Sequence, residues 1–131
     1  MRHKMIRIAA VSFLNARPIT YGLEHSLDAA SDDRFELSFD LPSRCAERLA
    51  AGEVDLGLIP TAAYATSAQE LRIVPGIAIA GLGPVRTVLL VCEVPWTQMQ
   101  EIALDGASRS SAMLLKLLCH ERGLTPLPSQ D

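Results

Sequence analysis

Apolar runs and helix-like runs alternate along this chain, and the alternation predicts an α/β fold with a mostly parallel sheet and flanking helices. The first apolar run predicts a buried strand over Ile6–Phe13. A helix is expected from about Pro18 to His25, because proline fits the first turn of a helix. Residues 26–34 are polar and predict a loop, and the alternating segment Phe35–Phe39 predicts a half-buried strand.

The remaining elements are delimited by capping residues and glycines. A helix is expected between Pro42 and Gly52, with Ser43 as its N-cap and Gly52 as its C-terminal stop. The most regular helix is expected over Ser108–Arg122, where apolar residues recur at helical spacing and Gly123 follows. Three more strands are predicted: a short buried one, one after a glycine turn, and one that ends in a turn. They are Asp55–Pro60, Val85–Val91 and Glu101–Gly106.

Composition and charge exclude several classes of protein. With 131 residues, 49% of them hydrophobic and 21% charged, the chain has the composition of one globular domain. The formal net charge is −3, aromatic residues make up 5% and no basic run occurs, so a nucleic-acid surface is not expected. No apolar segment approaches the length of a membrane span, and the basic N-terminus lacks the features of a signal peptide. We therefore expect no membrane partner and a cytoplasmic location.

Cysteine and histidine positions argue against metal and nucleophile chemistry. Cys45, Cys92 and Cys119 lie far apart and match no metal-ligand spacing, so no metal site is expected. We expect all three to pack as small apolar side chains in a reducing cytoplasm. No histidine lies near a serine or cysteine in a nucleophile motif, and no glycine-rich phosphate loop occurs.

Polar residues at the end of the first predicted strand form the first candidate site. Ser12, Asn15 and Arg17 follow that strand, and ligands of open α/β sheets bind at the carboxyl ends of strands. Asparagine offers a donor and an acceptor for a hydroxyl or a developing oxyanion, and serine offers a rotatable hydroxyl. The alternative is that Ser12 and Asn15 only satisfy backbone groups where the strand meets the helix.

A second candidate site lies at the start of the last predicted helix. Ser108, Arg109 and Ser110 follow Asp105, and a helix start offers N–H groups and the positive end of the helix dipole to a carboxylate or phosphate. The alternative is an N-cap, with Arg109 solvated or paired to Asp105. A third candidate, Thr87 or Arg86, lies in the strand predicted after a glycine turn, where the alternative is an edge strand with a surface arginine.

Four segments together resemble the chorismate dehydratase family, which acts at the first committed step of the futalosine route to menaquinone. They stand in the family's order: Val11–Pro18, Ala50–Pro60, Gly83–Val88 and Leu104–Ser111. The resemblance implies a fold of the periplasmic-binding-protein type (type II), in which two α/β lobes hold the ligand between them. Because family members are about twice as long, residues 1–131 are expected to form a single α/β region, with about 1–85 in a first lobe and about 86–131 starting a second, largely missing lobe.

The resemblance also implies an activity, the loss of water from chorismate to give 3-[(1-carboxyvinyl)oxy]benzoate. This is a carbon–oxygen hydro-lyase reaction, and the family uses no metal or organic cofactor for it. Asn15 takes the catalytic role. The expected substrate-binding residues are the other matching motif positions, to which the first turn adds Arg17: Ser12, Arg17, Thr87, Ser108, Arg109 and Ser110. The chain departs from the family pattern at Thr87, where serine is usual, and at Ala63, where an acidic residue often precedes the tyrosine.

Two other functions stay open at this point. A non-catalytic module that binds small carboxylates would use the same anion site at a helix start. An inactive, truncated remnant would expose the face of its missing lobe and aggregate or pair through it. The expected partner is a small-molecule substrate, chorismate, and self-association is a further prediction for a half-length chain.

Overall fold

The computed structural model describes residues 5–25, 34–125 and 127–128, the last two by their backbone alone. It divides the chain into two units, Met1–Ile79 and Ala80–Asp131. The loop predicted for residues 26–34 lies outside the described residues except for its last position, Arg34. The assignment of these parts to two lobes stays a prediction.

A three-stranded parallel sheet forms the centre of the first unit, with strand order β2-β1-β3. Strand β1 is Ile6–Val11, β2 is Phe35–Asp40 and β3 is Leu56–Gly57. β1 pairs with β2 along its whole length and with β3 at Ile8 and Ala9. The predicted α/β class with a mostly parallel sheet is confirmed, and the arrangement is consistent with part of a periplasmic-binding-protein-like lobe.

Helices connect the strands of the first unit. Helix α1, Arg17–His25, lies between β1 and β2, and helix α2, Pro42–Ala50, lies between β2 and β3. A short helix α3, Thr61–Ala65, follows β3, and a 3₁₀ turn at Leu14–Ala16 precedes α1. Each strand is therefore followed by a helix that begins at the same edge of the sheet, the carboxyl edge.

The predicted N-cap of α2, Ser43, is wrong. α2 begins at Pro42, its N-cap position is Leu41, and no side chain caps it. Proline suits the first helical position because its φ is fixed and it has no N–H that needs a partner. The Leu41 N–H is bound instead by the Asp40 carboxylate at 2.9 Å. Gly52 follows the helix with a φ of +71°, which confirms the predicted stop.

Small side chains let helix α2 pack closely against β1. The core cluster draws on β1, the turn after it, α2 and the segment before β3: Ala9, Val11, Ala16, Cys45 and Val54. The Cys45 thiol donates to the Ala10 carbonyl at 3.4 Å, and burial raises the pKa of this thiol. Ile8 and Ala10, on the opposite face of β1, are also buried. β1 is therefore covered on both faces, as is usual for a strand of a parallel sheet.

An ion pair fixes β3 beside β1. The backbone N–H and the Nε of Arg7 both donate to Asp55 Oδ2 at 3.0 Å, and Arg7 Nη2 donates to the Gly52 carbonyl at 2.9 Å. The Asp55 N–H donates in return to the Arg7 carbonyl at 2.9 Å. Because these bonds join β1 to the turn before β3, they set the register in which Ala9 lies opposite Gly57.

The second unit contains a pair of short parallel strands and one long helix. Strand β4, Glu101–Ile102, pairs with strand β5, Leu127–Pro128, and helix α4, Arg109–Glu121, lies between them in sequence. Gly123 follows α4 with a φ of +67°, so the predicted helix and its glycine stop are confirmed. A 3₁₀ turn at Trp96–Gln98 precedes β4.

The predicted strand Val85–Val91 is wrong. The structure describes this whole segment, which has no strand pairing. Leu89 is 73% exposed and Val91 is 87% exposed. Within the described ranges no neighbouring strand supplies partners for its backbone groups, and an unpaired apolar run does not form a strand by itself.

Candidate functional site

The turn after β1 presents polar side chains at the carboxyl edge of the sheet. The Ser12 N–H donates to the Asp40 carbonyl at 3.3 Å and the Ala16 N–H to the Phe13 carbonyl at 3.0 Å, so the backbone of the turn is fixed. Ser12 and Asn15 are both exposed. Neither side chain hydrogen-bonds to any residue in the part of the chain that the structure describes. The alternative that they only satisfy backbone groups does not fit this geometry.

The strand order places this turn at the point where successive strands are added on opposite sides of β1. β1 leads through α1 to β2 on one side, and the chain then crosses to β3 on the other side of β1. In open α/β sheets, ligands occupy the crevice at the carboxyl ends of the strands beside such a reversal. Ser12 and Asn15 therefore lie where this sheet is expected to hold a small ligand.

Arg17 begins α1 and is held at the same edge of the sheet. Its Nη1 lies 2.8 Å from Glu24 Oε2, and its Cζ lies 5.5 Å from the centre of the Phe39 ring. The side chain is nonetheless 54% exposed. A guanidinium has five N–H donors, and Glu24 is the one described hydrogen-bond partner of this one. Arg17 can therefore still bind an anion.

Glu24 is itself held by a buried hydroxyl that sequence reasoning missed. Thr20 Oγ1 donates to Glu24 Oε1 at 2.7 Å, and Thr20 is 2% exposed. This hydrogen bond, opposed by partial burial and reinforced by the Arg17 charge, lowers the pKa of the Glu24 carboxyl. The available signal was the spacing, because residues 17, 20 and 24 share one face of a helix.

The helix-start cluster of the second unit is organised by Asp105. Its carboxylate accepts the Ala107 N–H at 2.9 Å, and its carbonyl accepts the Ser108 N–H at 3.1 Å. Ser108 occupies the N-cap position of α4, but its hydroxyl lies 2.6 Å from Ser111 Oγ and caps no backbone N–H. Asp105 therefore shapes the turn, and simple capping does not describe Ser108.

The predicted site residues come together in two groups, each within its own unit. Their members are Ser12, Asn15 and Arg17 in the first unit, and Ser108, Arg109 and Ser110 in the second. Thr87 is exposed, and its predicted place on a strand is wrong because the surrounding segment forms no strand. The roles assigned to all of these residues stay predictions.

Asp40 is a carboxylate at the sheet edge that sequence reasoning also missed. It is the last residue of β2, it lies opposite Val11, and its carbonyl binds the Ser12 N–H. Its carboxylate binds the Leu41 N–H at 2.9 Å and lies 3.8 Å from Arg48 Nη1. Asp40 is therefore directed toward α2, where it organises the start of that helix.

Metal-ligating side chains are scattered. No three His, Cys, Asp or Glu side chains converge on a metal-sized space among the residues that the structure describes. Cys45 and Cys119 are buried as predicted, whereas Cys92 is exposed, so its predicted packing is wrong. No described helix is long and apolar enough to cross a membrane.

Almost the whole chain is similar to one known protein family. Residues 6–130 match the menaquinone biosynthesis family. The chain belongs to this family. The matched region contains both groups of predicted site residues, Ser12 to Arg17 and Ser108 to Ser110.

A similar protein is the chorismate dehydratase of Thermus thermophilus, which is 32% identical to the chain over 92 residues. The aligned stretch makes up 70% of this chain and 34% of the Thermus protein, so the chain spans only part of the length of that relative. The family recognised from the four sequence motifs is confirmed.

Proposed function

We propose that this chain carries the chorismate site of a chorismate dehydratase and converts chorismate to 3-[(1-carboxyvinyl)oxy]benzoate and water in the futalosine route to menaquinone. The observation that most supports this is the turn after β1. It holds the exposed side chains of Ser12 and Asn15 at the strand-order reversal, next to the helix that Arg17 begins. The family match and the Thermus relative supply the substrate class.

Chorismate carries two carboxylates, so the site needs cations and N–H donors. The start of α1 combines the positive end of the helix dipole with the Arg17 guanidinium, and its first turn contains no acidic residue. One carboxylate binds there. The start of α4, with Ser108, Arg109 and Ser110, is a second group with anion-binding chemistry.

The reaction is an elimination in which a proton and a hydroxide leave neighbouring ring carbons. Removing the hydrogen from the carbon that bears the enol ether leaves an electron pair that delocalises through the diene into the ring carboxylate. This pair forms the new ring double bond as the adjacent C–O bond breaks. The hydroxide leaves and becomes water with the abstracted proton, and the aromatic ring that results makes the step strongly downhill.

The protein orients the substrate and stabilises charge in this scheme. The Asn15 amide donates to the developing anion. The substrate's own enolpyruvyl carboxylate takes the proton, held in place by the anion-binding groups. The Asp40 carboxylate is directed toward α2, where it contacts the Leu41 N–H and Arg48, so we do not assign it as the base. This supports the choice of a base on the substrate. We place the reaction in the cytoplasm, where the exposed free thiol of Cys92 is stable.

Mass spectrometry tests the proposal by following the loss of one water from chorismate incubated with the purified chain. We expect product above a no-protein control. Asn15→Ala should lower kcat by about 100-fold or more, because removal of one oxyanion donor typically has this effect. Gln100→Ala removes an exposed amide outside all the site motifs and should retain the wild-type rate.

The other outcomes separate the rival functions. Full turnover by Asn15→Ala would remove that residue from the catalytic role. Binding of chorismate without turnover would identify a non-catalytic carboxylate-binding module instead. A chain that neither binds nor converts chorismate would contradict the proposal and would be an inactive remnant. Pairing of such a remnant would appear as concentration-dependent sedimentation.

A further inference from the structure

We infer that Thr20 and Glu24 are positioning residues, which hold the Arg17 guanidinium at the carboxyl edge of the sheet for a carboxylate of the substrate. The inference rests on the proposed function, because it takes the substrate to be an organic acid bound at this turn. Its basis is a continuous set of contacts, in which Thr20 binds Glu24, Glu24 binds Arg17, and Arg17 lies over Phe39.

The ion pair runs against the electrostatics of its own helix. Arg17 is the first residue of α1 and Glu24 is the last but one. A helix favours acidic residues at its start and basic residues at its end, so both charges stand at the less favourable end. The stability of α1 therefore does not explain the pair. The ion pair with Glu24 holds the Arg17 guanidinium at the positive end of the helix, next to the turn that carries Asn15.

Thr20 gives Glu24 one fixed direction. Thr20 is 2% exposed, and its hydroxyl has a single hydrogen. Glu24 Oε1 at 2.7 Å is a better acceptor for it than the Arg17 carbonyl at 3.4 Å. The second carboxylate oxygen, Oε2, then receives Arg17 Nη1 at 2.8 Å. Because the Glu24 side chain is only 19% exposed, it has little freedom to leave this position.

Phe39 supports the guanidinium from a second element of the fold. It is a residue of β2, next to Asp40, whose carbonyl binds the Ser12 N–H. The Arg17 Cζ lies 5.5 Å from the Phe39 ring centre, within the range of a cation–π contact. The guanidinium is thus fixed against both α1 and β2. Its side chain still keeps 54% of its surface open to a ligand.

A guanidinium prepared in this way suits the bidentate recognition of a carboxylate. Fixing it before the ligand arrives reduces the conformational entropy lost on binding. Because this entropy is lost when the substrate binds, before the chemical step, the gain should appear mainly in KM.

Steady-state kinetics of three variants with chorismate tests the inference. Thr20→Val removes the hydroxyl with little change in shape, and Glu24→Gln removes the charge. Each should raise KM by about tenfold with kcat within about twofold of the wild type. Thr20→Ser keeps the hydroxyl and should restore a KM close to the wild-type value. Glu47→Gln changes the exposed pair with Arg44, at 3.0 Å on α2, and serves as the matched control.

The outcomes distinguish this inference from the proposed function. A wild-type chain that neither binds nor dehydrates chorismate would contradict the proposed function and the inference with it. An active wild type with unchanged KM in Thr20→Val and Glu24→Gln would overturn the inference alone. A lower melting temperature without a change in KM would show a purely structural role and would overturn it equally.

Discussion

Two apolar runs of this chain take opposite forms. Ile6–Val11 is the central strand of the first unit and is 7% exposed or less from Ile8 to Val11, whereas Val85–Val91 forms no strand and is 87% exposed at Val91. The first run has a parallel strand on each side and α2 packed against it. The second has no strand partner within the described residues. An apolar pattern therefore gives a run the capacity to become a strand, and the neighbours decide whether it does.

The same difference separates the two kinds of site residue. Ser12 and Asn15 follow a strand that is paired and buried, so the turn that carries them has a fixed backbone. Thr87 belongs to the unpaired run and is exposed. The turn that carries Ser12 and Asn15 thus has a fixed backbone before any ligand binds. The role predicted for Thr87 would need a fixed backbone that the unpaired run does not have by itself.

The largest expected effect compares one substitution in the two runs. Val11→Asp places a carboxylate in the core of the first unit, where Val11 is 7% exposed, and should lower the free energy of unfolding by about 4 kcal/mol or more. Val91→Asp, at 87% exposure, should change it by about 0.5 kcal/mol or less. Urea unfolding followed by circular dichroism measures both. Equal losses in the two variants would show that the second run is packed as firmly as β1.

Thiol labelling compares the same two regions without a mutation. Cys45 lies in the core of the first unit at 0% exposure, and Cys92 follows the unpaired run and is exposed. Cys45 reacts only when the unit opens, so its labelling in native buffer should be slower than that of Cys92 by about 1000-fold or more. Mass spectrometry of peptides labelled for increasing times gives both rates. Labelling of Cys45 as fast as Cys92 would contradict the packed core.

Replacing a glycine with alanine should also destabilise the first unit more when the glycine lies in that unit than when it lies beside the unpaired run, but by less than Val11→Asp. Gly52 ends α2 with a φ of +71°, and Gly83 has a φ of +87° just before the unpaired run. A side chain at either position would meet no neighbour within 4 Å, so only backbone strain matters. Gly52→Ala should therefore destabilise the first unit by about 1 kcal/mol, and Gly83→Ala should leave that unit unchanged. Urea midpoints measure both, and an unchanged midpoint in Gly52→Ala would argue against the glycine stop.

The smallest expected effect is a pH dependence confined to the first unit. The Thr20 hydrogen bond and the Arg17 charge lower the pKa of Glu24 below its ordinary value of 4.5. The resulting stabilisation is complete above the ordinary value and is lost as the pH falls through the lowered one. Thr20→Val should weaken this acid sensitivity. Urea midpoints at neutral and acidic pH measure it, and the same dependence in both proteins would exclude the Thr20 contribution.

Local chemistry made a large part of the fold predictable. β1 follows from an apolar run, α1 from a proline that suits a first helical turn, and α4 from apolar residues at helical spacing. The stops at Gly52 and Gly123 follow from the left-handed backbone that glycine accepts. Ser43 failed as an N-cap because proline already satisfied the first helical position. The strand Val85–Val91 failed because strand pairing depends on a partner elsewhere in the chain, which a local pattern does not show.

The candidate site was predictable where it depends on a strand end and hidden where it depends on contacts between elements. Ser12 and Asn15 are marked by their place after an apolar run. The support of Arg17 needs Glu24 two helical turns away and Phe39 from another strand, so no short motif reveals it. Asp40 lies one residue beyond the predicted strand Phe35–Phe39. Its carbonyl accepts the Ser12 N–H and its carboxylate accepts the Leu41 N–H, and no local pattern indicates the first of these contacts.

The central claim is that chorismate binds at the turn after β1, and amide chemical shifts of the labelled chain during a chorismate titration test it most directly. We predict saturable shifts at Ser12–Arg17, with Trp96–Gln98 unaffected as an internal control. Chorismate-dependent shifts that leave Ser12–Arg17 unchanged, or no shifts at all, would contradict the account.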